Sequence, residues 1–155
     1  MEIYFAGSIR GGRDDATIYE DLVAYLKTFG RVLTEHVGDT RLTEQGDDGP
    51  NDTFIHDRDM AWLKTCDLVV AEVTMPSLGV GYELGWATAL TKPVLCLHRP
   101  AQDRPLSAMI AGSNRIVTQA YTTIDEAREH IREFVNTVHR HGTILPPDAP
   151  VKSGE

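Results

Sequence analysis

Apolar residues along the chain follow two alternating rhythms. Short apolar runs recur at residues 2–6, 31–34, 67–73, 93–97 and 115–118. Between them lie stretches with an apolar residue every third or fourth position. The runs predict strands, and the periodic stretches predict helices at 15–29, 52–65, 79–90 and 124–140, with one or two helical turns at 106–111. In the first helix Ile18, Leu22, Tyr25, Leu26 and Phe29 make one stripe, and Gly30 ends it. The run at 67–73 is almost continuously apolar, as expected of a strand covered on both faces. The polar stretches 36–51 and 98–105 predict loops. Residues 142–155 hold three prolines and few apolar anchors, which predicts a flexible tail after a single domain at 1–141.

Five strands interleaved with helices predict an α/β fold around a parallel sheet. The matching architecture is a flavodoxin-like, Rossmann-like three-layer sandwich with strand order 2-1-3-4-5. In that order the first and third strands are neighbours, and ligands bind in the crevice at their carboxyl ends. Two glycine-bearing turns, 7–12 and 79–85, follow those two strands. Both are therefore expected to open on one crevice.

Composition narrows the functions available. The 155 residues carry a formal charge of −8, which argues against a nucleic-acid polymer as partner. No apolar run approaches the ~20 residues of a membrane-spanning helix. The chain enters a strand-like run at Ile3, which reads as no signal peptide. Cys66 and Cys96 lie in apolar contexts and read as buried, reduced thiols of an intracellular, cytoplasmic protein. No Cys/His spacing matches a zinc site, and the Asp47/Asp48/Asp52 loop lacks a calcium-binding pattern, so neither metal nor cofactor is expected.

The candidate chemistry lies in the two turns and one helix. Gly7, Ser8, Ile9, Arg10, Gly11, Gly12 and Arg13 offer backbone N–H groups, a hydroxyl and two cations to an anion. The pattern is neither a Walker A loop nor Gly-x-Gly-x-x-Gly, and a flexible turn with solvated arginines would look the same. Glu83 is the only carboxylate between Glu72 and Asp103, and it sits in the glycine-rich turn that opens the third helix. The helix dipole alone favours a glutamate there. Against that, Glu83 borders the apolar face Val80, Leu84 and Ala87, and the flanking glycines each cost the helix ~1 kcal/mol. Asp59 falls on the stripe of Ile55, Trp62, Leu63 and Cys66, where a charge needs a partner or a function. Tyr4 stands near the carboxyl end of the first strand, and Ser77 and Gly79 share the Glu83 turn. Two acids beside an anion cradle are the minimal set for cleaving the glycosidic bond of a sugar phosphate.

Long segments of the chain add to this reading. Residues 4–13, 33–37, 71–74 with 76–85, and 106–110 resemble the 2′-deoxynucleoside 5′-monophosphate N-glycosidase family, which belongs with the nucleoside 2-deoxyribosyltransferases. The likeness runs in unbroken order from about residue 3 to 112. It implies that Glu83 is a nucleophile forming a covalent deoxyribosyl-enzyme, that Asp59 assists base departure, and that Tyr4 is a catalytic-site tyrosine positioned beside the nucleophile. It implies that Gly7, Ser8, Ile9, Arg10, Ser77 and Gly79 line the phosphate and sugar pocket. It also implies a homodimer, in which Ser107 and Met109 reach the neighbouring subunit's site. His36 is shared with the family without an assigned role. The loop at 38–52 departs from the family pattern.

The implied activity is hydrolysis of a 2′-deoxynucleoside 5′-monophosphate to free base and 2-deoxyribose 5-phosphate. Two alternatives use the same crevice: transfer of deoxyribose between bases, and nucleotide binding without catalysis.

Overall fold

The computed structural model describes residues 1–9, 14–41, 51–100 and 105–141. Five parallel strands, β1 (Glu2–Ala6), β2 (Arg31–Val32), β3 (Leu68–Glu72), β4 (Val94–His98) and β5 (Val117–Ala120), form one sheet in the order β2-β1-β3-β4-β5. Helices α1 (Ala16–Leu26), α2 (Asp52–Thr65), α3 (Leu78–Ala89), α4 (Ala108–Ala111) and α5 (Ile124–His141) connect and cover it. The expected sheet order and α/β class are both found.

Strand alternation divides the core into two layers. Ile3 and Phe5 of β1, Leu68 and Val70 of β3, and Leu95 and Leu97 of β4 pack with Tyr19, Leu22 and Leu26 of α1 and Ile131 and Phe134 of α5. Tyr4 and Ala6, Val69 and Ala71, and Val94 and Cys96 face the other way, onto Leu63, Val80, Leu84 and Ala87 of α2 and α3. In register, Tyr4 pairs with Val69 and Ala6 with Ala71. This alternation decides which side chains reach the site. Tyr4 points into the α2/α3 layer, while Glu72 lies on the α1/α5 side.

Element ends differ from the sequence reading where a side chain finds another partner. The second strand was expected over 31–34 but pairs only at Arg31–Val32. Thr34 leaves the ladder because its hydroxyl both donates to the Phe5 carbonyl at 2.6 Å and accepts the Phe5 N–H at 2.8 Å. A short 3₁₀ turn, Glu35–Gly38, follows where a loop was expected. The first helix stops at Leu26, before Phe29, with further turns up to Gly30. An added Cβ at Gly30 would lie 2.3 Å from the Met1 carbonyl oxygen, so this corner is too tight for a side chain. The fifth strand is Val117–Ala120, two residues later than expected, because its register is set by Leu95↔Val117 on β4. The expected tail at 142–155 and most of the 38–52 loop lie outside the described residues.

Candidate active site

The crevice is built at the carboxyl ends of β1 and β3, where the strand order reverses. It is a cavity of about 650 Å³ lined by Gly7, Ile9, His36, Ile55, His56, Arg58, Asp59, Ser77, Gly79, Tyr82 and Glu83, among others. Both glycine-bearing turns contribute to it, as their positions after β1 and β3 require.

Glu83 enters from the second turn of α3. Val80, Leu84 and Ala87 anchor that helix on the sheet and leave Glu83 at the edge of the buried face. The Tyr4 hydroxyl, buried under the crevice, donates to Glu83 Oε1 at 3.0 Å. Burial pushes the Glu83 carboxyl up to about 8; the Tyr4 bond opposes this and the charge of Asp59 adds to it. Burial, then Glu83 and Asp59, drive Tyr4 far above the ordinary phenol range, so it remains a donor at every pH of interest.

Asp59 comes from the middle of α2, whose only buried side chain within the helix is Leu63. It is partly buried and pairs with its sequence neighbour: Arg58 Nε donates to Asp59 Oδ1 at 2.9 Å. Arg58 stacks 4.7 Å above the Trp62 ring, and its terminal nitrogen lies 3.3 Å from His36 Nε2. Asp59 is thus held against a cation, while burial pushes Glu83 toward its protonated form.

Of the expected cradle residues, Gly7, Ile9, Ser77 and Gly79 line the crevice, and Ser8 lies buried beneath it. Ser8 is fully buried; its N–H donates to the Tyr19 hydroxyl at 3.3 Å, and its own hydroxyl has no partner among the described residues. A hydroxyl buried in this way is free to donate to a phosphate oxygen. At Gly7 a Cβ would press on the Tyr19 ring at 3.1 Å, so glycine lets α1 close against the turn. Ser77 caps α3, accepting the Val80 N–H at 3.4 Å, and the helix N-terminus with Gly79 faces the crevice. Arg10, with Gly11, Gly12 and Arg13, lies outside the described residues.

Ser107 and Met109 are not in the crevice of their own chain. They line an adjoining groove of about 580 Å³ between α3 and α4, with Leu78, Gly81, Gly85 and Arg99. Met109 is 84% exposed. Sequence reasoning missed Ile55, His56, Arg58 and Tyr82 as crevice residues. Tyr82 Oη lies 3.2 Å from His56 Nε2, joining α3 to α2 across the rim. For Ile55 the signal was helical spacing, one turn before Asp59.

A model of the family described as nucleoside 2-deoxyribosyltransferase matches residues 3–118. The chain belongs to the nucleoside 2-deoxyribosyltransferase family. Among its relatives are proteins named 5-hydroxymethyl-dUMP N-hydrolase. The one from Tetraodon nigroviridis is 53% identical over 138 residues, covering 86% of this chain and 96% of its own length. The one from Danio rerio is 49% identical, covering 91% of this chain and 100% of its own. The one from Mus musculus is 59% identical over 112 residues, covering 72% of this chain and 65% of its own. Two solved structures share the deoxyribosyltransferase-family fold. The Clostridium botulinum CMP N-glycosidase BcmB has a TM-score of 0.62 at 19% identity, covering 85% of this chain and 99% of that one. The solution structure of BlsM has a TM-score of 0.69 at 17% identity, covering 94% and 97%.

Proposed function

We propose that the protein hydrolyses the N-glycosidic bond of 2′-deoxynucleoside 5′-monophosphates, releasing free base and 2-deoxyribose 5-phosphate, with 5-hydroxymethyl-dUMP as the leading substrate. The observation that carries this reading is the Tyr4–Glu83 pair, set beside Asp59 at the mouth of an anion cradle. The names of the relatives supply the substrate class.

The chemistry follows from the groups present. Ser8, the N-terminus of α3 and Ser77 hold the phosphate, which fixes C1′ over Glu83. The ionised Glu83 carboxylate attacks C1′. The C1′–N bond breaks, and its electron pair leaves with the base, which takes a proton from Asp59 as it departs. Water then attacks C1′ of the glycosyl-enzyme, Asp59 takes up the water proton, and the ester bond to Glu83 breaks to free the sugar phosphate. The Tyr4 hydroxyl orients Glu83 and steadies its charge. A 2′-hydroxyl would withdraw electrons from the developing oxocarbenium centre, so a deoxyribose reacts more readily.

The site is completed by a second copy of the chain, which brings Ser107 and Met109 to the phosphate and base. Exposed Leu78, Tyr82 and Trp86, one turn apart on α3, and exposed Met109 nearby support a self-association face. Sedimentation velocity is expected to find a dimer at micromolar concentration; a strict monomer that is fully active would remove Ser107 and Met109 from the site.

Incubation with a panel of deoxy- and ribonucleoside monophosphates, followed by chromatography, tests the activity. The expected result is base release from 5-hydroxymethyl-dUMP at least about tenfold faster than from its ribonucleotide counterpart. Adding an acceptor base separates hydrolysis from transfer: a new nucleotide in place of free sugar phosphate would establish a transferase. None of the described helices is long and apolar enough to cross a membrane, which suits an enzyme acting on free nucleotides.

A further inference from the structure

Glu72 is fully buried at the carboxyl end of β3, on the face of the sheet away from Glu83, and the reaction above makes no use of it. An acid in that position is costly, and burial raises its carboxyl above the ordinary range. Its partners explain what holds it there. Oε1 accepts the Thr74 hydroxyl, in a short hydrogen bond, and the Tyr121 hydroxyl at 2.9 Å. Oε2 accepts the Thr74 N–H at 3.2 Å. The Thr74 hydroxyl oxygen in turn accepts the Arg99 N–H at 2.9 Å. The Arg99 side chain then crosses to Asp15, with 2.5 Å between NH2 and Oδ1.

Asp15 occupies the N-cap of α1 but makes no side-chain capping bond. Aspartate is favoured at such positions because it caps. Here the carboxylate pairs with Arg99 instead, so a buried acid, the Thr74 hydroxyl and an ion pair run in series, with the Tyr121 hydroxyl as a branch on Glu72. One end of the series is the β3–α3 turn, three residues before Ser77. The other is the point where the β1–α1 turn enters α1. These two turns are the halves of the anion cradle.

We propose that Glu72 is a positioning residue for phosphate binding, fastening the Ser77 turn through Thr74 and, through Thr74, Arg99 and Asp15, the start of α1, whose Tyr19 hydroxyl holds the Ser8 N–H. This rests on the hydrolase reading above. The two halves of the cradle must be held at a fixed separation for Ser8, Ser77 and the α3 N-terminus to meet one phosphate. A network through the buried interior sets that separation without occupying the crevice.

Thr74→Val, Tyr121→Phe and Glu72→Gln test this. Thr74→Val and Tyr121→Phe each remove one donor while nearly keeping shape. Glu72→Gln keeps an acceptor for the two hydroxyls but opposes the Thr74 N–H with a second donor. Each variant is compared with wild type for KM and kcat on the best deoxynucleoside monophosphate, for kcat/KM on the matching phosphate-free deoxynucleoside, and for inorganic phosphate affinity by calorimetry. The expected result is a KM raised about tenfold with kcat changed less than about threefold. Inorganic phosphate binding should weaken in parallel, and the phosphate-free substrate should be cleaved as by wild type. Equal losses on both substrates, or unchanged KM and phosphate affinity in all three variants, would overturn the proposal. A wild-type protein that bound phosphate but released no base from any nucleotide would instead overturn the hydrolase reading on which it rests.

Discussion

Replacing Glu83 by glutamine is expected to lower base release by at least about a thousandfold, or ~4 kcal/mol of transition-state stabilisation, while nucleotide binding changes little. The substitution is nearly isosteric, and an amide oxygen can still accept the Tyr4 hydroxyl that now bonds Oε1 at 3.0 Å. What is lost is the negative charge that attacks C1′. Residual activity should show no dependence on the pH range where Glu83 ionises. The companion measurement is mass spectrometry of wild-type enzyme quenched during turnover, in which a deoxyribosyl phosphate adduct should map to the peptide containing Glu83. An adduct on Asp59 instead would exchange the roles of the two acids, with the raised Glu83 carboxyl acting as the proton donor. A Glu83→Gln variant as fast as wild type would leave the crevice a nucleotide-binding site without this chemistry.

The sequence made the site legible in proportion to how local its geometry is. Glu83, Ser77 and Gly79 lie within seven residues of one turn, so helical spacing alone placed them together. Tyr4 was a candidate because it stands near the carboxyl end of the first strand; that β1 turns it toward α2 and α3 came from the structure. Asp59 was found as a charge on an apolar stripe, and that anomaly proved to be real: its partner, Arg58, is the adjacent residue. Nothing in the pattern distinguished Arg58 from a solvated arginine, since its restraint comes from Trp62 and His36. The Glu72 network was equally hidden. Residues 15, 72 and 74, 99, and 121 come from four separate segments of the chain, and only the sheet brings them to one place. The early end of β2 had the same origin, since Thr34 bonds to Phe5 rather than extending the ladder.

Glu83 should also make the wild-type fold less stable as pH rises, and the glutamine variant should be the more stable protein in alkaline solution. The sign follows from proton uptake. Below pH 4.5 the carboxyl is protonated in both the folded and unfolded chain, and no penalty exists. Between 4.5 and about 8 the unfolded chain has released this proton while the folded chain retains it, so stability falls as pH rises. Above about 8 both states are ionised and the whole penalty is present. At roughly 1.4 kcal/mol per unit, that separation is worth up to about 5 kcal/mol. Glutamine carries no such slope. The melting temperature of Glu83→Gln should therefore match wild type near pH 4 and exceed it by up to about 10–20 °C above pH 8, given ~2–4 °C per kcal/mol for a chain of this size. Wild-type kcat/KM should climb over the same interval, because the free enzyme must ionise Glu83 before it can attack, and the full profile should be bell-shaped, because base departure also needs a proton donor. The two curves have one cause: the desolvation that destabilises the charged carboxylate also leaves it poorly solvated and reactive once formed. Coincident melting curves at every pH would mean that Glu83 is ionised at no cost to the fold, and the rise in kcat/KM would then need another titrating group.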